Sequence, residues 1–159
     1  MTLDTDPDNF IRHYGGLFEH SSWVVMRAAA RLPLGDVYSG LMAVVHEATP
    51  DEQLMLIRAH PELAGKAAID GTLTEASAAE QASAGLDRMT AEEFARFHAL
   101  NAAYAKRFGF PFIICVRLTD KAGILAAMEE RLGNDRDTEI ATAIAEIGKI
   151  VRLRLKDMA

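Results

Sequence analysis

Apolar residues recur at three- and four-residue spacings along most of the chain, a pattern typical of amphipathic helices. Capping residues, prolines and glycines mark the helix ends, and Thr-x-x-Glu sequences beginning at Thr49, Thr72 and Thr90 predict three capping boxes. The apolar stripe that includes Phe94 and Phe97 is predicted to lie in the core. Together these signals predict one mainly helical domain, with helices over 6–16, 22–31, 36–48, 49–60, 72–86, 90–107, 119–132 and 137–157.

The predicted helix over 72–86 lacks large apolar side chains in its interior. From Glu75 to Gly85 it contains only Ala, Ser, Glu, Gln and Gly, so it cannot anchor itself by burying apolar surface. Such a helix is either exposed to solvent or closely approached by another part of the structure. Four of its residues share one face because their spacings are those of neighbouring helical turns: Ser77, Glu80, Gln81 and Ala84.

The segment 108–117 has the aromatic and β-branched composition of a strand, with Gly109 and Pro111 near its start. No other segment of this helical pattern predicts a partner strand, and a single strand is not stable by itself. The alternative is an extended or partly helical segment that lines a cavity with its main-chain N–H groups.

Two residues have an unusual position for a plain core. His60 directly precedes Pro61, and a residue before proline is disfavoured in the α region, so the fourth helix should end there. His60 is then either a cap that complements the helix dipole or a functional imidazole. Arg154 lies on the apolar stripe of the last helix, three residues after Val151. It either reaches solvent at the helix end or meets a buried anion.

Composition narrows the classes of function. The 159 residues suffice for one domain with a substantial core, and half of them are hydrophobic. A formal net charge of -6, with no cluster of lysines and arginines, argues against a nucleic-acid partner. We recognise no signal peptide and no apolar run of transmembrane length, so we expect no membrane association and a cytoplasmic location. The single cysteine, Cys115, is expected to be a buried, unreactive thiol.

The ligand spacings of common metal and nucleotide sites are missing from the sequence. The five histidines lack the spacing of metal ligands, so no metal site is predicted. What stands out is an imidazole, a carboxylate and a guanidinium on three different elements, His60, Glu80 and Arg154. This combination suits the binding of a small polar anion and acid–base chemistry on it.

Five short motifs occur in an order and at spacings that resemble one enzyme family. They are FEHSSW at 18–23, HPELAGK at 60–66, SAAEQ at 77–81, FGFPFI at 108–113 and IVRLRL at 150–155. On these motifs, nearly the whole chain resembles the 2-oxo-4-hydroxy-4-carboxy-5-ureidoimidazoline (OHCU) decarboxylases. One departure is Ser22, where the family often has proline before the tryptophan; this affects the start of a helix rather than the chemistry.

The resemblance implies an all-α, single-domain bundle of about eight helices with one short extended segment near 110–116, which replaces the strand interpretation. It also implies a homodimeric, cofactor-free decarboxylase that converts OHCU to (S)-allantoin and CO2, the last step from urate to allantoin. The family's catalytic residues match His60 and Glu80. Its substrate-binding residues match Pro61, Ser77, Gln81, Phe112, Ile113, Ile114, Cys115, Val116 and Arg154.

Such a reaction needs neither a metal nor an organic cofactor, because the conjugated ring can accept the electron pair that the departing CO2 leaves behind. His60 is the predicted general base toward the substrate hydroxyl. Glu80 either orients His60 or accepts ureido N–H groups, and Arg154 is expected on the developing oxyanion or the ureido end. Two rival functions stay open: a non-enzymatic helical interaction domain, and an enzyme of the same fold acting on another ureido or ring acid.

Overall fold

The computed structural model describes residues 6–65, 71 and 73–158, and the regular structure of these residues is helical. Because they contain no strand, the predicted all-α fold class is confirmed. None of the described helices has the length and apolar character needed to cross a membrane. A 3-10 turn, Val116–Leu118, lies between the sixth and seventh α-helices. The eight α-helices of the described residues are α1 (Pro7–Tyr14), α2 (Trp23–Ala29), α3 (Val37–Glu47), α4 (Pro50–Arg58), α5 (Glu75–Ser83), α6 (Ala91–Phe108), α7 (Lys121–Arg131) and α8 (Arg136–Met158).

Helix starts follow the capping signals of the sequence. At the start of α4, the Thr49 hydroxyl accepts the Glu52 N–H while the Glu52 carboxylate accepts the Thr49 N–H, which completes the predicted capping box. The same reciprocal pair forms at the start of α6, between Thr90 and Glu93. Two of the three predicted boxes are therefore confirmed.

The prediction for α5 was wrong at both ends. Its N-cap is Thr74, whose hydroxyl accepts the Ser77 N–H, and Thr72 lies outside the described residues. With this start, Glu75 lies in the first turn, where its charge complements the helix dipole. The helix ends at Ser83 rather than near residue 86, because Gly85 takes a left-handed conformation with φ of 83°.

The chain divides into two compact units, and the first comprises residues 1–59 and 148–159. In this unit α1 packs on α2 and α2 packs on α3. The C-terminal part of α8 belongs to the same unit and contributes Val151 and Arg154 to its buried residues. The largest apolar side chains of its core are those of Phe10, Phe18, Leu41, Leu56 and Ile57.

The second unit comprises residues 60–147 and has an aromatic core centred on Tyr104 of α6. The Tyr104 ring lies 4.6 Å from Phe108, 5.9 Å from Phe110 and 5.3 Å from Phe112, measured between ring centroids. Such tilted and edge-on arrangements stabilise beyond the burial of area alone. This cluster fixes the position of the chain that follows α6. The prediction that both units form a single domain stays a prediction.

Phe94 departs from the predicted core stripe of α6. Its side chain is 37% exposed, whereas Phe97 is buried. The ring of Phe94 stacks instead on His98, with centroids 6.3 Å apart. Because Phe94 lies in the first turn of α6, it reaches the rim of the core rather than its centre.

The segment between α6 and the 3-10 turn is extended and not part of a sheet, as the family resemblance implied. Residues 111–115 have no regular secondary structure, and Cys115 has extended backbone angles. The strand composition of 108–117 was therefore misleading as evidence for a sheet. Main-chain groups of this segment bond to charged side chains of α7 and α8 in place of a partner strand.

Candidate active site

His60 begins the second unit and lies on a buried turn. The helix α4 ends at Arg58, and its C-cap is Ala59. His60 therefore lies one residue beyond the C-cap and does not occupy the cap position, which was one of the two interpretations of this histidine. Its side chain and backbone together are only 9% exposed. Pro61 follows, and Ala64 then takes a left-handed backbone conformation with φ of 52°. A non-glycine residue in this region is strained and persists only where its surroundings hold it.

Two side chains hold the turn after His60. The Ala64 N–H donates to Gln81 Oε1 of α5 at 3.0 Å, and Asn101 Nδ2 of α6 donates to the Leu63 carbonyl at 2.8 Å. All four residues are buried, so water does not compete for these bonds. The position of His60 is therefore set by a turn that is fastened to two helices.

The helix α5 is closely approached on the face that the sequence singled out. Ser77, Gln81 and Ala84 are buried, and Glu80 is half-buried. The 3-10 turn that follows the extended segment packs against this helix. Of the two alternatives for a helix without large side chains, close approach is the one that the structure shows. The polar side chains of Ser77 and Gln81 consequently face the protein interior rather than bulk water.

The extended segment supplies the other predicted lining residues. Phe112, Ile113, Cys115 and Val116 are buried, and Ile114 is half-buried. Burial raises the pKa of the Cys115 thiol, and the carboxylates of Glu146 and Glu80 raise it further. The thiol therefore stays protonated near neutral pH, as the sequence predicted for an unreactive cysteine. The carboxylate of Glu80 thus acts electrostatically on the thiol, and the 3-10 turn that begins directly after Cys115 packs against α5.

Arg154 belongs to the first unit, where it forms a buried ion pair. Its Nη2 donates to Glu19 Oε1 at 2.9 Å, its Nη1 donates to the Leu17 carbonyl at 3.0 Å, and the residue is 7% exposed. The interpretation as a buried arginine that meets an anion is confirmed, and one such anion is the protein's own Glu19. A snorkelling arginine at the helix end is excluded by this burial.

A cavity of about 590 Å³ lies beside α5 in the second unit. Its described walls include Ala64, Gln81 and the exposed face of Phe94, and their one charged residue is Asp87. His60 is not among these described wall residues. Among the described residues, no group of three or more His, Cys, Asp or Glu side chains could hold a metal ion.

Sequence reasoning missed several buried polar residues around the predicted ones. They are Glu19, Asn101, Arg131, Glu139 and Glu146. Asn101 had a visible signal, because it lies four residues after Phe97 and three before Tyr104, on the apolar stripe of α6. Arg131 and Glu139 had none, because a basic residue in the last turn of a helix and an acidic one in the first turn are also typical of exposed helix ends.

Comparison with known proteins identifies the family. The family model described as OHCU decarboxylase matches residues 4–156. The chain is 39% identical over 155 residues to the OHCU decarboxylase of Haloferax volcanii, covering 96% of this chain and 90% of that protein. It is 40% identical over 147 residues to the uric acid degradation bifunctional protein PucL of Bacillus subtilis, covering 91% of this chain and 29% of that protein. A crystal structure of (S)-allantoin synthase superposes with a TM-score of 0.76 at 26% identity, covering 96% of this chain and 50% of that one. The chain therefore belongs to the OHCU decarboxylase family.

Proposed function

We propose that this protein decarboxylates 2-oxo-4-hydroxy-4-carboxy-5-ureidoimidazoline to (S)-allantoin and CO2, the last step in the conversion of urate to allantoin. Family membership over nearly the whole chain supports the reaction class and the substrate. The structural observation that carries the proposal is the buried turn of His60, fastened by Gln81 to the same helix that bears Glu80.

His60 is the proposed general acid–base residue. Imidazole is the side chain that most readily takes up and releases a proton near neutral pH. In the proposed mechanism His60 accepts the proton of the substrate hydroxyl as the bond to the carboxylate breaks. The electron pair of that bond enters the conjugated ring, His60 returns its proton to one face of the resulting carbon centre, and the ring nitrogen that received the charge takes up a second proton from solvent. Burial of the turn supports this role, because it limits exchange of the proton with bulk water.

Glu80 has two candidate roles, and each fits a half-buried carboxylate on the inward face of α5. It orients His60 through a hydrogen bond, or it accepts hydrogen bonds from the N–H groups of the ureido tail. Ser77 lies about one helical turn before Glu80, and Gln81 directly follows Glu80, on the same face of α5. Both residues are proposed to contact the substrate together with Pro61. The main chain and side chains of 112–116 are proposed as a further lining of the pocket.

Arg154 is proposed to contact the developing oxyanion or the ureido end of the substrate, on the strength of the family resemblance. A strong ion pair with the departing carboxylate would stabilise the ground state and oppose its loss. The Glu19 carboxylate already partly neutralises the Arg154 guanidinium. This ion pair also argues against Arg154 as the cation that binds the departing carboxylate of the substrate. The homodimer and the cytoplasmic location that the resemblance implies are part of the proposal.

The test is to follow allantoin formation by circular dichroism while urate oxidase and hydroxyisourate hydrolase supply the substrate in situ. Wild type should give optically active allantoin rapidly, and His60→Ala should reduce the rate by about 10²–10⁴-fold, the usual contribution of a general acid–base group. His98→Ala is the matched control, because His98 is an exposed histidine of the same unit.

Both variants must retain the helical spectrum of the wild type. If the wild type yields only the slow, racemic product of the uncatalysed reaction, the proposed function fails, and a non-enzymatic interaction domain becomes the better interpretation. If His60→Ala matches His98→Ala, the assignment of the general acid–base residue fails while the reaction stands.

A further inference from the structure

We propose that Glu146 and Arg131 are positioning residues that turn two successive peptide groups of the extended segment, so that the N–H and C=O of Ile114 face the substrate. This inference rests on the proposed function and names the group that binds the ureide. Its basis is a pair of hydrogen bonds on the two sides of Ile114. Arg131 Nη1 donates to the Ile113 carbonyl at 2.7 Å, and the Cys115 N–H donates to Glu146 Oε1 at 3.0 Å.

Peptide geometry converts these two bonds into an orientation for Ile114. In a trans peptide the C=O and N–H are coplanar and point in opposite directions. The peptide that carries the Ile113 carbonyl also carries the Ile114 N–H, and the peptide that carries the Cys115 N–H also carries the Ile114 carbonyl; both are trans. With Ile113 C=O and Cys115 N–H held by α7 and α8, both polar main-chain groups of Ile114 point to the opposite side.

The surroundings of Ile114 agree with a main chain that faces a ligand. Ile113 and Cys115 are buried, whereas Ile114 is half-buried. Within the described ranges, no protein group bonds the N–H or the C=O of Ile114. A donor and an acceptor of one residue that point to the same side match an HN–C=O edge, as one strand matches its neighbour in a sheet. The ureide groups of the proposed substrate present such an edge.

Charged side chains hold the two peptide groups beside Ile114 more firmly than neutral side chains would. Hydrogen bonds with one ionised partner are shorter and stronger than neutral ones, so they hold a peptide group against rotation. Arg131 is itself fixed, because its Nε donates to Glu139 Oε1 at 2.8 Å and its guanidinium lies 4.3 Å from the centroid of the Phe112 ring. Placing three charged side chains in the interior is costly unless each has such partners. Packing alone would not require them.

The first experiment compares two substitutions of Glu146. Glu146→Gln keeps an oxygen that can accept the Cys115 N–H, whereas Glu146→Met has a similar volume and no such acceptor. We expect kcat/KM for OHCU to fall about tenfold in Glu146→Met, the usual consequence of one lost hydrogen bond, and to stay within about threefold of wild type in Glu146→Gln. Ile147→Ala controls for loss of packing, because Ile147 is a fully buried neighbour on the same helix.

The second experiment observes Ile114 directly and does not depend on whether Glu146→Met folds. In protein labelled with ¹⁵N-isoleucine, the Ile114 amide resonance is identified by its loss in Ile114→Val, and (S)-allantoin is added to the wild type. We expect the Ile114 amide to shift on saturation with (S)-allantoin and the shift to be smaller in Glu146→Met than in Glu146→Gln.

The outcomes separate this inference from the proposed function. With an active wild type, an unshifted Ile114 amide overturns the inference. Equal losses of kcat/KM in Glu146→Gln and Glu146→Met, or a loss in Glu146→Met no larger than in Ile147→Ala, overturn it as well. An inactive wild type overturns the proposed function, and the ligand assigned to Ile114 falls with it.

Discussion

The Arg154–Glu19 pair of the first unit and the Arg131–Glu139 pair of the second are both buried ion pairs, with N–O distances of 2.9 and 2.8 Å. They differ in what they join. Arg154 and Glu19 are 135 positions apart, so their contact ties the C-terminal part of α8 to the chain before α2. Arg131 and Glu139 are eight positions apart and fix the corner between α7 and α8. Two buried ion pairs with nearly the same N–O distance thus have different effects. The pair in the first unit joins segments that are distant in sequence, and the pair in the second unit fixes the angle between two consecutive helices.

The local pair is also the centre of a larger network. Glu139 Oε1 accepts the Tyr104 hydroxyl at 2.6 Å as well as Arg131 Nε, and Glu139 Oε2 accepts Asn134 Nδ2 at 2.9 Å. Burial, together with the hydrogen bond to this carboxylate, raises the pKa of Tyr104 far above the usual range of a phenol. Arg131 carries the network on to the Ile113 carbonyl of the extended segment. The corner between α7 and α8 and the extended segment, which is proposed to line the site, therefore share one set of bonds.

The largest expected effect is that of removing the charge at the centre of this network. Glu139 is 0% exposed, and Glu139→Gln leaves Arg131 as a buried cation without its carboxylate. We expect the free energy of unfolding to fall by about 3–5 kcal/mol, the usual cost of removing one partner from a buried pair. Urea unfolding followed by circular dichroism measures this change.

Glu129→Gln on α7 is the matched control, because Glu129 pairs with Arg96 at the exposed surface. An exposed ion pair contributes little, so this variant should keep nearly the wild-type unfolding midpoint. Equal midpoints for Glu139→Gln and Glu129→Gln would mean that the network of the second unit does not stabilise the fold.

Local signals made most of the fold predictable. The three- and four-residue periodicity and the caps at Thr49 and Thr90 located the eight helices in the described part of the chain, because these features depend on neighbours within one or two turns. The same rules failed where two choices were locally equivalent. Thr72 and Thr74 each precede a polar residue at the capping distance, and the left-handed Gly85 ends α5 earlier than its alanine-rich sequence indicated.

The candidate site was predictable only where a residue was out of place within its own element. Arg154 interrupts an apolar stripe, and His60 precedes a proline. Glu146 gave no such signal, because its role comes from the Cys115 N–H, 31 positions earlier in the chain. Whether a charged residue at a helix end is exposed or buried depends on what packs against it, and this information is absent from the local sequence. The family resemblance likewise gave the residues expected to meet substrate and not those that hold them.

A double-mutant cycle on Arg154 and Glu19 sharpens the comparison for the first unit. We expect Glu19→Gln and Arg154→Gln to be less destabilising together than the sum of the two single changes, with an interaction energy of roughly 0.5–3 kcal/mol, because each single variant leaves a buried charge uncompensated. Unfolding in urea gives all four free energies.

The control cycle uses Arg31 and Glu47, an exposed ion pair of the same unit. Because solvent screens that pair, its cycle should be close to additive. If the Arg154–Glu19 cycle is equally additive, the buried contact does not hold the two distant segments together, and the difference between the two units disappears.

The smallest expected effect is the titration of Cys115, which reports on the second unit because the chain has one cysteine. Burial and the carboxylates of Glu146 and Glu80 raise the pKa of this thiol above its ordinary value of 9.0. At a pH just above 9.0 the folded state therefore still holds a proton that the unfolded state has released. The thiol's contribution to stability is complete below the unfolded pKa and declines as pH rises through the folded pKa. The unfolding midpoint of the wild type should therefore fall slightly more between about pH 8 and about pH 10 than that of Cys115→Ala, which lacks the group. Identical falls would mean that neither burial nor the two carboxylates act on Cys115, and would remove the electrostatic argument that places Glu80 near the extended segment.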